Sequence, residues 1–191
     1  MLVLLSGVSG AGKDTVTKEL LKKMDNLETL PSYTDRAVRK DDVPGVTYNF
    51  VTTEKFKEMI GNDEFYEYDM HHEHYYGTSK KLLNERIKNG KIIIKDIEVN
   101  GVENLVKILK NDLKVITIFL KVPKDVLKKR LENRIDSLDE EEIELRLNRF
   151  DYEESKMGMY DYVIKNNDLE KTVNVLMEII KNEYKVEHTE F

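Results

Sequence analysis

Seven residues near the start constrain this chain more than any other feature: Gly7, Val8, Ser9, Gly10, Ala11, Gly12 and Lys13 spell G-x-x-x-x-G-K. The motif follows the apolar run Leu2 to Leu5 and precedes a stretch in which Val16, Leu20 and Leu21 recur at helical spacing. Strand, glycine-rich loop and helix in that order make a phosphate cradle. Glycines let successive amides turn inward around an anion, the helix dipole adds positive potential, and Lys13 supplies a point charge for β- and γ-phosphates. The expected ligand is ATP, held by Gly7 through Thr15. After the lysine such loops carry Ser or Thr, whose hydroxyl ligates Mg²⁺; this chain has Asp14 followed by Thr15. A carboxylate also binds Mg²⁺, directly or through water, so Asp14 and Thr15 are candidate metal ligands. Asp96, at the end of a predicted buried strand, is a third; its alternative is to cap the turn that follows.

The rest of the chain repeats the strand and helix alternation. Lys91 to Ile97 and Val115 to Val122 are β-branched runs, and Tyr162 to Ile164 is a further short one. Strands alternating with helical patterns predict an α/β fold with a parallel sheet core. Between Pro31 and Gly77 the texture changes, with aromatic residues at Tyr33, Tyr48, Phe50, Phe56, Phe65, Tyr66, Tyr68, Tyr75 and Tyr76 around the turn residues Pro44 and Gly45. This predicts an inserted subdomain with short strands of its own. Ser137 and Glu140 have capping-box spacing and predict a helix start.

Composition removes several classes of function. With 31 Lys and Arg against 37 Asp and Glu, the net charge of −6 offers no basic footprint for nucleic acid. Zero cysteines exclude a disulfide framework, a zinc finger and a cysteine nucleophile. No apolar run approaches the roughly 20 residues of a membrane helix. Met1 to Ser6 lacks a basic leader and reads as a strand, which predicts a cytoplasmic protein without a membrane partner. His71, His72, Glu73 and His74 lie at consecutive positions, which point in different directions and cannot converge on one ion, so they predict a hairpin connection.

Arg36 and Arg39, three residues apart in Ser32-Tyr33-Thr34-Asp35-Arg36-Ala37-Val38-Arg39, can present planar donors to one phosphate. Downstream come Gly45-Val46-Thr47-Tyr48-Asn49-Phe50, Glu64-Phe65-Tyr66-Glu67-Tyr68, Tyr75-Tyr76-Gly77-Thr78 and Asp96-Ile97-Glu98-Val99-Asn100-Gly101. In this order and spacing the chain resembles guanylate kinases over nearly its whole length. The resemblance implies a P-loop NTPase-type parallel core at 1–30, 84–125 and 150–191, a monophosphate-binding insert at 31–83 and a helical lid at 126–149, in one domain over 1–191. It implies ATP-dependent phosphorylation of GMP and dGMP to the diphosphate, by direct in-line transfer with Mg²⁺ as cofactor, in a monomer or homodimer.

By the same resemblance Arg36, Arg39, Tyr48 and Tyr76 hold the GMP phosphate, and Ser32, Glu67, Thr78 and Glu98 read guanine, although the family carries Asp where this chain has Glu98. A carboxylate suits guanine, whose N1–H and N2–H₂ are adjacent donors. Arg130, Arg134 and Arg146 fall where the lid arginines lie and join Lys13 as the catalytic cations, and Asn166 resembles the asparagine on the adenine side. Phosphoryl transfer needs positioning and charge neutralisation more than covalent chemistry, so no nucleophile is expected. Two rivals share parts of the pattern. A ribose 1,5-bisphosphate phosphokinase-like enzyme resembles it in having Asp after the P-loop lysine. A non-catalytic guanylate-kinase-like binding domain would share the outline, but Lys13 and the lid arginines argue for catalysis.

Overall fold

The computed structural model describes residues 1–40, 42–71, 73–132 and 140–189. In chain order the elements are β1 (Leu2–Ser6), α1 (Lys13–Lys23), β2 (Leu27–Thr29), β3 (Ser32–Thr34), β4 (Tyr48–Phe50), α2 (Thr53–Gly61), β5 (Phe65–His71), β6 (His74–Ser79), α3 (Lys80–Lys88), β7 (Ile92–Asp96), α4 (Val99–Leu109), β8 (Val115–Lys121), α5 (Lys124–Glu132), α6 (Glu140–Ser155), β9 (Tyr162–Lys165) and α7 (Leu169–Thr189). The strands form one sheet of order β2-β7-β1-β8-β9 and a second of order β4-β3-β6-β5. In the first, β2 runs parallel to β7 and β8 parallel to β9. Strands β1 and β8 and the Ile92–Ile94 run of β7 are dominated by apolar residues without alternation and are almost wholly buried, the pattern of strands covered on both faces. This is the α/β fold with a parallel core that the sequence predicts. The capping box expected at Ser137 lies outside the described residues. Among the described residues no helix is long and apolar enough to cross a membrane.

The chain divides into two compact units. One comprises Met1–Leu2, Asn26–Lys95 and Asn100–Val115, and holds the four-stranded sheet. One face of that sheet packs against α2, whose start is capped by the Thr52 hydroxyl accepting from the Lys55 amide at 3.2 Å. Phe56 of α2 stacks on Phe65 at 4.7 Å and on Tyr75 at 5.2 Å between ring centroids, and Met59, Tyr33, Val51 and Ile60 complete the cluster. Gly77 makes the stack possible, because a Cβ there would come within 2.9 Å of the Phe65 ring and 3.0 Å of Phe56. The buried carboxylate of Asp35 ties the hairpin to α2, accepting from the Tyr75 amide at 2.8 Å and the Thr53 hydroxyl at 2.7 Å. The hairpin expected around His71 to His74 is the β5–β6 connection.

Register fixes what the opposite face of this sheet carries. Ser32 pairs with Tyr48, Tyr33 with Gly77, Thr34 with Tyr76, and Glu67 with Thr78. One step beyond the Tyr33–Gly77 pair, Ser32 stands beside Thr78. Tyr48, Ser32, Thr78 and Glu67 therefore form one row across all four strands, and Tyr76, two residues from Thr78, points the same way.

The other unit comprises Val3–Asp25, Asp96–Val99 and Ile116–Phe191. Here the Asp161 carboxylate accepts from both the amide and the hydroxyl of Thr117 at 2.8 Å, fastening the start of β9 to β8. Asp168 caps α7 by accepting from the Lys171 amide at 3.0 Å.

Candidate active site

The loop between β1 and α1 is built from backbone angles that side chains resist. Gly7, Gly10 and Gly12 have φ of +144°, +91° and +92°. A Cβ on Gly7 would sit 2.5 Å from the Leu120 carbonyl oxygen, and one on Gly12 would sit 2.8 Å from Asn166 Nδ2. The helix that follows has no side-chain cap at Gly12, so its first-turn amides are left for an external acceptor. Lys13 Nζ folds back to donate to the Gly7 carbonyl at 2.7 Å and lies 3.9 Å from Asp96 Oδ1. Asp14 and Thr15 are exposed in the first turn of α1.

Three side chains from later in the chain converge on this loop. Asn166, buried at the end of β9, donates from Nδ2 to the Ala11 carbonyl at 2.7 Å. Arg130 of α5 donates to the same carbonyl at 3.2 Å and to the Asn166 carbonyl at 2.9 Å. Arg146 of α6 donates to the Ser9 hydroxyl at 2.6 Å. The expected cations Lys13, Arg130 and Arg146 thus all touch the loop Gly7 to Lys13; Arg134 lies outside the described residues. Glu98 accepts from Arg149 at 2.8 Å, and Arg149 also lies 3.6 Å from Glu153, four residues on.

The other group of expected residues lies on the polar face of the four-stranded sheet. Thr78 donates its hydroxyl proton to Glu67 Oε1 in a short hydrogen bond. Tyr48 and Tyr76 meet edge to face at 5.7 Å. Arg36 is only 8% exposed, held by Asp42 at 2.9 Å, by the Ala37 carbonyl at 2.7 Å and over the rings of Tyr48 and Phe50 at 5.2 and 5.5 Å. The Arg39 amide donates to the same Asp42 carboxylate at 2.7 Å, and its side chain is exposed. One carboxylate thus holds the Arg36 side chain and the Arg39 backbone. Ser32 accepts from Lys95 Nζ at 2.6 Å.

Asp42, Lys95 and Arg149 are partners that sequence reasoning missed. Asp42 sits in an acidic pair that reads as a surface turn. Lys95 is the more visible signal: a charged residue directly after Ile92, Ile93 and Ile94, ahead of Asp96, in a strand that the pattern buries. Arg149 follows Arg146 by three positions and precedes Glu153 by four, a helical spacing the sequence already contains.

Comparison with known proteins gives this geometry its context. The guanylate kinase family model matches residues 1–183. The chain belongs to the guanylate kinase family. A guanylate kinase of Helicobacter pylori is 41% identical over 182 residues, spanning 94% of this chain and 86% of that protein. One from Prochlorococcus marinus subsp. pastoris is 37% identical over 182 residues, spanning 95% and 97%. A crystal structure of guanylate kinase from Anaplasma phagocytophilum superposes with a TM-score of 0.77 at 28% identity, covering 96% of this chain and 86% of that one. Guanylate kinases are ATP-dependent nucleoside monophosphate kinases, so this chain is an enzyme of the transferase class. The ribose bisphosphate and scaffold-domain alternatives are not favoured, since the likeness to guanylate kinases runs over the whole chain.

Proposed function

We propose that this protein transfers the γ-phosphoryl group of ATP to GMP, and to dGMP, by direct in-line displacement. The observation that carries the acceptor is the row Tyr48, Ser32, Thr78 and Glu67 on one sheet face. It offers a carboxylate and two hydroxyls to a base, with Arg36, Arg39, Tyr48 and Tyr76 for the phosphate. The Glu67 carboxylate takes the adjacent N1–H and N2–H₂ donors of guanine, which adenine lacks. Glu98 joins this reading as a longer carboxylate in place of the family's aspartate.

On the donor side, amides of Gly7 to Thr15 receive the triphosphate and Asn166 lies on the adenine side. Lys13 releases the Gly7 carbonyl to meet the β- and γ-oxygens, and Arg130, Arg134 and Arg146 neutralise charge that grows on the transferred group. The insert 31–83 carries the acceptor and the lid 126–149 excludes water, which would otherwise compete as acceptor.

The donor set suits Mg²⁺. Asp14 and Thr15 are exposed beside the loop, and the Asp96 side chain is 40% exposed near Lys13. Among the described residues no three acidic or histidine side chains form a preassembled metal cage. Mg²⁺ keeps waters and phosphate oxygens and takes only one or two carboxylates from protein, a number that Asp14 and Asp96 can supply. When bound, Mg²⁺ would neutralise phosphate charge; Asp14 and Asp96 would hold it through water. Free nucleotides as partners agree with a cytoplasmic enzyme.

A coupled spectrophotometric assay of ADP release tests the reading with GMP, dGMP, AMP, UMP and ribose 1,5-bisphosphate as acceptors. GMP and dGMP should give the highest kcat/KM. Preference for ribose 1,5-bisphosphate would overturn the assignment, and so would ADP release independent of any acceptor.

A further inference from the structure

Lys95 is 1% exposed, among the largest fully buried side chains of the described residues, the fourth residue of β7 after three buried isoleucines and before the exposed Asp96. A buried ammonium is costly to retain unless hydrogen bonds satisfy it. Its Nζ lies 2.6 Å from Ser32 Oγ, the serine in the row with Thr78 and Glu67. The chemistry of that contact runs one way. An ammonium carries three donors and no acceptor, whereas a hydroxyl has one donor and two acceptor lone pairs. Ser32 must therefore accept from Lys95, which leaves its own proton to point elsewhere. Without the lysine, the serine hydroxyl can rotate and present either a lone pair or a proton.

We propose that Lys95 is a positioning residue for base selection: it fixes Ser32 as a hydrogen-bond donor and so favours a purine with an oxygen at C6. The inference rests on the reading that this row receives guanine. A 6-oxo group accepts one hydrogen bond, and the next two positions around the ring edge of guanine donate. The protein's matching order is donor at Ser32, then acceptor at Glu67 two strands away. A 6-amino purine would turn a donor toward the Ser32 donor and gain nothing there. The positive charge behind Ser32 also polarises the hydroxyl and strengthens its donation.

The test compares kcat/KM for GMP with that for the 5′-monophosphate of 2-aminopurine riboside, which keeps the 2-amino group and has no oxygen at C6. Lys95→Met removes the donor and keeps most of the side-chain volume, and Lys95→Leu serves as a second apolar variant should the first not fold. The expected result is a loss of about tenfold for GMP, the worth of one hydrogen bond, with the 2-aminopurine nucleotide and the KM for ATP changed less than about twofold. Ser32→Ala, which removes the donor outright, should show a selective loss at least as large, and the double variant should lose no more than Ser32→Ala alone. Equal losses for both acceptors, or additive losses in the double variant, would overturn the role of Lys95 while leaving the guanylate assignment intact. A wild-type enzyme inactive on GMP overturns both.

Discussion

Lys13 already holds a hydrogen bond, to the Gly7 carbonyl at 2.7 Å, so its ammonium is positioned by the loop it serves. Lys13→Ala should leave the far-ultraviolet circular dichroism unchanged and lower kcat by about 10²-fold or more, as removal of a transition-state charge partner does. Near wild-type turnover would sink its role. Glu67 differs, since it acts by its acceptor pair and is tied to the Thr78 hydroxyl. Glu67→Gln turns one acceptor into a donor facing donors, which should weaken GMP by about 1–3 kcal/mol, read from KM and from calorimetric titration. AMP should lose less; equal losses would make Glu67 a residue of the sheet alone. These two sites were legible in the sequence for different reasons. Lys13 stands in a motif whose spacing is itself the chemistry. Glu67 could be found only through resemblance, because a lone glutamate among tyrosines has no spacing that announces a base.

Elements were legible where burial is uniform and obscure where strands are short. The runs at Leu2 to Leu5, Lys91 to Ile97, Val115 to Val122 and Tyr162 to Ile164 correspond to β1, β7, β8 and β9 within a residue or two. Helix α1 begins at Lys13, because Gly12 in a left-handed conformation ends the loop abruptly. Strands β3 and β4 are three residues each, too short for period-two alternation to stand out, so their register, and with it the shared face of Ser32 and Tyr48, came only from the structure. Between β9 and α7 a different tie operates. The Tyr162 hydroxyl donates to Glu183, and that hydrogen bond, with burial and the glutamate's charge, raises the phenol from its ordinary 10.0 to about 12. The folded protein thus favours the neutral phenol. Its stabilisation is present in full below pH 10 and fades as pH rises toward about 12. Urea unfolding from pH 9 to 12 should show a steeper fall for wild type than for Tyr162→Phe; parallel curves would show that the pair contributes nothing to this dependence.

At the scale of the molecule, binding of either nucleotide must draw the folding equilibrium toward the native state. A ligand at 100 times its Kd adds about 2.7 kcal/mol, or roughly 5–10 °C in Tm for a chain of this length. Arg39→Ala, which removes an exposed guanidinium, should abolish most of the shift given by GMP and leave that given by ATP, as measured by differential scanning calorimetry. Equal reduction of both shifts would contradict its assignment to the acceptor alone. The four-stranded sheet also divides its labour by residue parity, with Phe65, Tyr75 and Gly77 packed on α2 and Ser32, Glu67 and Thr78 on the reverse side. Substitutions that redraw base preference therefore fall on positions that do not touch the aromatic stack. Drift in substrate choice can proceed by single steps, each of them viable, without a compensating change in what holds the sheet together.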